Sequence, residues 1–210
     1  MIVSLIDSIR KLVRSFIHLI AAKLNVLSNG RITPNKVTTV GLLMHIPIAF
    51  LIAGGHLVIS GILLIIFGLF DVLDGELARL QKTSSPFGMV YDATTDRIKE
   101  TLIYAGLAFW LAKTGQSFWA TWTVLALGLS ISVSYAKAKA ESALAVKEKL
   151  TDLYKLNRHY SEGLVAYELR VAILIIGLLF NLEILAVVVV TIMSVITNFN
   201  ILYVINQSLS

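Results

Sequence analysis

Six apolar stretches dominate the chain, and each is about as long as a helix that crosses a membrane. Roughly 20 helical residues span a hydrocarbon core about 30 Å thick. None of the stretches alternates with the two-residue period of a strand, which argues against a transmembrane barrel. The pattern predicts an all-α membrane protein with six transmembrane helices, at about 37–54, 57–80, 90–112, 117–138, 164–180 and 184–206.

The first 30 residues follow a different pattern, in which apolar and polar side chains occupy opposite faces of one helix. The apolar face carries Leu5, Ile9, Leu12, Phe16 and Ile20, and the polar face carries Asp7, Lys11, Arg14 and His18. This arrangement is typical of a helix that lies in the membrane interface. An amphipathic helix packed on the bundle is the alternative. We expect the turn cluster at residues 29–35 to end this helix.

The composition supports a membrane protein with a single domain. Hydrophobic residues make up 57% of the 210 residues, charged residues make up 15%, and the mean hydropathy is +0.81. A soluble domain carries about a quarter charged residues. The chain is too short for two ordinary domains, so we expect one domain over residues 1–210, with a bundle over residues 37–206. The absence of cysteine excludes disulfides and thiolate metal sites.

The basic residues predict the orientation of the protein in the membrane. The net charge is +5, and all Lys and Arg residues except Lys113 fall on the side of the N-terminal helix when six spans are assumed. Basic residues concentrate on the cytoplasmic side of membrane proteins, so the charge does not indicate nucleic-acid binding. We therefore expect an integral membrane protein with both termini, and the segments 80–90 and 139–162, in the cytoplasm.

Four aspartates interrupt this apolar pattern in a small region. Asp71 and Asp74 are three residues apart at the end of the second span, and Asp92 and Asp96 are four apart at the start of the third. Each pair therefore occupies one helix face. A charged carboxylate near the bilayer centre costs about 2.5–3.5 kcal/mol, so four of them need compensation. Converging carboxylates suit Mg²⁺, Mn²⁺ or Ca²⁺. Solvated helix ends are the alternative.

The aspartates belong to a longer motif that resembles a known family signature. The motif is Asp71-x2-Asp74-Gly75-x2-Ala78-Arg79-x8-Gly88-x3-Asp92-x3-Asp96. It resembles the signature of the CDP-alcohol phosphotransferases. The resemblance implies an interfacial helix followed by six transmembrane helices, and a homodimer. It also implies transfer of a substituted phosphoryl group from a CDP-linked lipid such as CDP-diacylglycerol to an alcohol, with release of CMP.

The resemblance also implies roles for individual residues. Asp71, Asp74, Asp92 and Asp96 are implied as ligands of two ions, Mg²⁺ or Mn²⁺, and Asp96 also as the base that deprotonates the acceptor. The implied CDP-binding residues are Asp71, Asp74, Gly75, Ala78, Arg79 and Gly88, together with Thr33, Pro34 and Asn35 before the first span. A two-metal site suits the cleavage of a pyrophosphate because it neutralises charge on the oxygens that gain it.

Basic residues further along the chain predict the acceptor. Lys137 and Lys139 end the fourth span, and Arg170 precedes an apolar run that continues to residue 180. A buried cation beside the aspartates would suit a phosphate on the acceptor. Anchoring of helix ends to anionic lipid is the alternative for the lysines.

Within the family, the wording around these residues resembles the phosphatidylinositol-phosphate synthase branch, which implies inositol phosphate as the acceptor. That branch has two arginines near the start of the fifth span, whereas Tyr167 takes the place of the first arginine here. Glycerol 3-phosphate is therefore the alternative acceptor.

Two other classes of membrane protein use intramembrane carboxylates. Intramembrane prenyltransferases are larger bundles with two separated aspartate motifs, so this chain is too short for that class. A cation transporter would need ion sites nearer the midplane and internal repeats or broken helices. Neither feature is evident in the sequence.

Overall fold

The computed structural model describes the backbone of residues 2–146 and 167–209, with side chains described over 15–143 and 167–207. Over these ranges the chain forms seven helices and no strand. They are α1 (Ile2–Leu27), α2 (Pro34–Ala53), α3 (Leu57–Gln81), α4 (Pro86–Lys113), α5 (Ser117–Val146), α6 (Tyr167–Leu179) and α7 (Glu183–Leu209). Most of the predicted polar connection over 139–162 lies outside the described residues, and α5 continues into its first part.

Four of these helices are long and apolar enough to cross a membrane. They are α2, α3, α5 over Ser117–Ala143, and α7 over Glu183–Gln207. The chain is therefore a multi-pass membrane protein. The other two predicted spans coincide with α4 and α6. Helix α4 is not apolar enough to be counted among the four, because its first half contains several charged residues. The described part of α6 is too short, at 13 residues.

Tight turns connect most of the neighbouring helices and make them antiparallel. A residue with a left-handed backbone lies in each turn: Gly55 (φ 84°), Lys82 (φ 55°), Gly115 (φ 80°) and Asn181 (φ 53°). The turns at Gly55, Gly115 and Asn181 are the short connections that the sequence predicts. The turn after Lys82 joins α3 to α4, the two helices that carry the aspartates.

Helices α2, α3 and α4 form the centre of the bundle. Gly106 of α4 allows α2 and α4 to approach closely, because a Cβ on Gly106 would lie 2.5 Å from the carbonyl oxygen of Ala49 in α2. Small residues permit such backbone contact between membrane helices. Ile48, Leu64 and Leu107 are among the buried side chains that fill the core around this crossing. Helices α5, α6 and α7 pack on α4, on α3 and on one another.

Helix α1 packs on the bundle. Ile17 and Ala21 are buried with Leu73 and Leu77 of α3, and Leu24 packs against this cluster. The contact face therefore consists of small and medium side chains at helical spacing. This observation agrees with the alternative that the sequence left open, an amphipathic helix packed on the bundle.

The predicted apolar face of α1 is a different stripe from the contact face. Phe16 and Ile20 from that stripe are exposed, at 61% and 37%. His18 from the predicted polar face lies 3.4 Å from Glu76 of α3, measured from Nδ1 to Oε2. The predicted face residues at positions 5, 7, 9, 11, 12 and 14 lie outside the described side chains. Among the described residues of this face, Phe16 and Ile20 therefore do not contribute to the packing of α1 on the bundle.

Candidate metal and nucleotide site

The turn between α3 and α4 brings the aspartates of the two helices together at matching heights. Asp74 lies seven residues before the end of α3 and Asp92 six residues after the start of α4. At 1.5 Å per residue both are about 10 Å from the turn, while Asp71 and Asp96 are both about 15 Å from it. Ser85 caps α4 by accepting a hydrogen bond from the Gly88 backbone N–H at 3.0 Å.

Three of the four aspartates meet closely enough to share one cation. One carboxylate oxygen from each of Asp71, Asp74 and Asp92 lies within 4.8 Å of the other two. The Oδ1 atom of Asp92 is buried and has no hydrogen-bond partner among the described residues. A buried carboxylate oxygen without a partner is costly unless a cation or donor reaches it. The three residues therefore fit a hard divalent ion, which prefers oxygen ligands.

A hydroxyl group from α2 contacts this carboxylate cluster. The Oγ1 atom of Thr38 donates a hydrogen bond to Oδ2 of Asp74, and Thr38 is buried. Hydrogen bonds of this kind orient ligand carboxylates. Thr38 is not among the predicted site residues, because nothing in its spacing distinguishes it from the other hydroxyl residues of the chain.

The fourth aspartate is connected to the cluster through a lysine. The ammonium group of Lys99 donates to Oδ1 of Asp71 on α3 and to Oδ1 of Asp96 on α4, the latter at 3.2 Å. Lys99 is only 1% exposed. Asp96 is therefore held at the height of Asp71, deeper in the bundle than Asp74 and Asp92. Lys99 is not among the predicted site residues, although a lysine three residues after an aspartate in an apolar helix is a visible signal in the sequence.

The residues predicted to bind CDP lie around the open end of this cluster. Thr33, Pro34 and Asn35 begin α2, and Gly88 lies in the first turn of α4. A Cβ on Gly88 would lie 3.6 Å from Oδ1 of Asn35 and 3.3 Å from Oγ of Ser85. The starts of α2 and α4 are therefore adjacent, and a side chain at position 88 would narrow the space between them.

The other predicted nucleotide residues follow Asp74 on α3. A Cβ on Gly75 would meet only Nη2 of Arg79, at 3.9 Å, so the backbone there is open. Ala78 is half-buried. The guanidinium of Arg79 donates to Oε1 of Glu76, and the Arg79 side chain is 56% exposed. An exposed guanidinium beside the backbone of a glycine can contact a phosphate that approaches closely.

A second polar cluster joins α4, α5 and α6. Arg97 donates to Oε2 of Glu100 at 2.9 Å and to Oγ of Ser134 at 2.6 Å, and Ser130 donates to Oε1 of Glu100. The predicted acceptor residue Arg170 is 1% exposed, and its Nη2 lies 3.5 Å from the same Ser134 oxygen. Arg97 directly follows Asp96 in α4, so this polar cluster adjoins the aspartates.

The remaining predicted acceptor residues lie on different sides of α5. Lys137 is half-buried and follows Ser134 by three residues, which places both on one helix face. Lys139 is exposed, lies 5.9 Å from the ring centroid of Tyr135, and lines a pocket between α5 and α7. Tyr167, at the position that the sequence analysis noted as a departure from the family pattern, packs its ring 4.2 Å from the Arg97 guanidinium.

These features define a class: a helical membrane protein with a carboxylate site for a divalent cation, flanked by buried and exposed arginines. Residues 31–200 match the family model for CDP-alcohol phosphatidyltransferase. The match covers most of the chain, and the chain belongs to this family.

Individual proteins with similar sequences and structures carry related names. A stretch of 82 residues is 37% identical to the phosphatidylinositol phosphate synthase of Corynebacterium glutamicum, covering 39% of this chain and 37% of that protein. The matched stretch thus spans less than two fifths of that curated relative.

Solved structures match over more of the chain. The phosphatidylinositol phosphate synthase of Mycobacterium tuberculosis with CDP-DAG bound is similar at a TM-score of 0.74 and 26% identity, over 90% of this chain and 92% of that one. The same protein with manganese and citrate has a TM-score of 0.73 at 25% identity, over 90% and 88%.

Proposed function

We propose that the protein transfers the phosphatidyl group of CDP-diacylglycerol to an alcohol that carries a phosphate, and releases CMP. The observation that carries this proposal is the meeting of Asp71, Asp74 and Asp92 within 4.8 Å at the α3–α4 turn. Family membership supports the reaction class. The CDP-DAG in a similar structure supports the lipid donor.

The three clustered aspartates would hold a divalent ion, Mg²⁺ or Mn²⁺. Manganese in a similar structure supports this assignment. Such an ion neutralises charge on the diphosphate and on the departing CMP. The sequence predicts two ions with Asp96 among the ligands, and the close grouping of three carboxylates supports one ion most directly.

Asp96 would act as the base in the transfer. The acceptor hydroxyl oxygen bonds to the phosphorus that carries diacylglycerol, the bond from that phosphorus to CMP breaks, and the hydroxyl proton passes to Asp96. A positioned carboxylate is a suitable proton acceptor. Its Oδ1 atom accepts from Lys99, which leaves Oδ2 for the proton.

The donor and acceptor would be bound on opposite sides of the aspartates. Thr33, Pro34, Asn35, Gly75, Ala78, Arg79 and Gly88 would surround the CDP group, which the adjacent starts of α2 and α4 support. Arg170 with Lys137 would bind the acceptor phosphate, and Lys139 would contribute from further along α5. The names of the relatives favour inositol phosphate as the acceptor, with glycerol 3-phosphate as the competing candidate.

The proposal extends to the arrangement in the membrane. We infer six transmembrane helices, α2 to α7, with α1 in the interface as part of one domain over residues 1–210. The exposed apolar residues of α1 support the interfacial position. The bias of basic residues supports a cytoplasmic active site and cytoplasmic termini. We expect a homodimer, as the family resemblance implies.

The reaction is tested by measuring CMP release from purified protein in detergent. CMP should appear only when CDP-diacylglycerol, a phosphorylated alcohol and Mg²⁺ or Mn²⁺ are all present. Exhaustive chelation should abolish release, and added metal should restore it. Asp92→Asn should be inactive, while Asp152→Asn, which alters an acidic residue outside the motif, should serve as the active control. Undiminished release after chelation would contradict the proposed site.

A further inference from the structure

A lysine lies where the two deepest aspartates meet. Asp71 and Asp96 are at the same height on α3 and α4, and the ammonium group of Lys99 donates to one oxygen of each. Lys99 is 1% exposed, so its charge is held inside the bundle. A buried ammonium is costly unless carboxylates surround it, and here two do.

Neighbouring basic residues do not replace Lys99 in this position. Arg97 follows Asp96 directly, but its guanidinium bonds to Glu100 at 2.9 Å and to Ser134 at 2.6 Å, on the side of α5. Among the described residues, Lys99 is therefore the cation that bridges Asp71 and Asp96. The oxygens to which Lys99 does not donate are Oδ2 of Asp71, Oδ2 of Asp96 and those of Asp74 and Asp92.

We propose that Lys99 is a built-in cation that limits the aspartate site to one divalent ion while no CDP-lipid is bound. The inference rests on the proposed function, and it departs from the prediction of two ions. A second ion bound by Asp71 and Asp96 would lie beside the ammonium that already contacts the Oδ1 atom of each. Two positive charges that share the same carboxylates repel strongly. Lys99 thereby acts as a positioning residue that holds Asp96 beside the single ion.

The test is a count of Mn²⁺ ions bound to lipid-free protein. Metal-stripped protein in detergent is titrated with Mn²⁺, and free Mn²⁺ is followed by electron paramagnetic resonance. Wild type should bind one ion per chain with no signal from coupled ion pairs. Lys99→Met, which removes the charge and keeps an unbranched side chain, should bind two ions with a spin-coupled signal. If that variant does not fold, the Mn²⁺ ions bound to Lys99→Gln are counted instead.

Two control variants make the count specific. Lys113→Met removes an exposed lysine from the end of the same helix, about 20 Å from Lys99, and should still bind one ion. Asp92→Asn should lose most Mn²⁺ binding, which locates the ion at the cluster.

The possible counts separate this inference from the proposed function. Two ions on the wild-type protein would overturn the role of Lys99 and leave the proposed reaction intact. One ion on both wild type and the Lys99 variant would also overturn the role of Lys99, because removing its charge would not have created a second metal site. No ion on the wild-type protein would remove the proposed metal site, and the inference with it.

Discussion

Replacing Thr38 by valine tests whether the observed hydrogen bond organises the metal site. Valine has nearly the same shape as threonine, and position 38 is buried, so the packing of α2 should persist while the hydrogen bond to Asp74 is lost. The Pro34 carbonyl lies 3.2 Å from the same hydroxyl, but the charged carboxylate is the stronger acceptor. Loss of such a contact weakens metal affinity by about 10- to 100-fold, which is about 1.4–2.7 kcal/mol.

The affinity of Mn²⁺ for Thr38→Val should be measured by titration calorimetry beside a matched control. Thr123→Val makes the same change at another buried hydroxyl, which bonds to the Trp119 carbonyl of its own helix at 2.8 Å. The control should bind Mn²⁺ as the wild type does. If both variants bind equally tightly, the contact between Thr38 and Asp74 does not organise the site, and our reasoning about α2 is wrong.

Substitutions at three further positions address the base, the acceptor site and the fold. Asp96→Asn should lower turnover by about 10²- to 10⁴-fold with a smaller loss of CDP-lipid binding, and near-normal turnover in steady-state assays would refute its role as base. Arg170→Ala should raise the acceptor KM by roughly 10- to 150-fold, from about 1.5–3 kcal/mol for one charged contact, with partial recovery in Arg170→Lys; an unchanged KM would point to a helix anchor. Gly106→Val should lower the free energy of unfolding by about 1–3 kcal/mol, because a Cβ at position 106 would lie 2.5 Å from the Ala49 carbonyl oxygen. An unfolding temperature equal to that of the wild type would contradict that contact.

The sequence predicted the aspartate pairs because helical spacing is a local property. Residues three or four apart share a face in any helix, and the short turn after α3 leaves little freedom in how α4 returns. The helix positions and the short connections followed from the same local signals. The meeting of Asp71, Asp74 and Asp92 was therefore within reach of the pattern alone.

The contacts that complete the site depend on neighbours far away in the chain. Thr38 reaches Asp74 across 36 residues, and Lys99 reaches Asp71 across 28. Periodicity shows which residues share a face but does not show which helix that face will meet. The same limit explains why α1 packs through Ile17 and Ala21 and leaves Phe16 and Ile20 of the predicted apolar face exposed.

The sequence also could not predict which of the basic side chains are buried and which are exposed. Arg170 and Lys139 both looked like phosphate ligands, yet the first is buried beside Ser134 and the second is exposed against Tyr135. Lys137 and Lys139 are two residues apart in α5, so their side chains point to different sides of the helix. Only the packing of α5 between α4 and α7 decides which side faces the aspartates.

The central claim is that this site joins a phosphatidyl group to a phosphorylated alcohol. The most direct measurement supplies purified protein with CDP-diacylglycerol and Mn²⁺, together with either radiolabelled inositol phosphate or radiolabelled glycerol 3-phosphate, and counts the label that becomes lipid-soluble. Our account predicts metal-dependent transfer of label from inositol phosphate. Label in lipid from glycerol 3-phosphate alone would contradict the acceptor, and no lipid-soluble label from either compound would contradict the account.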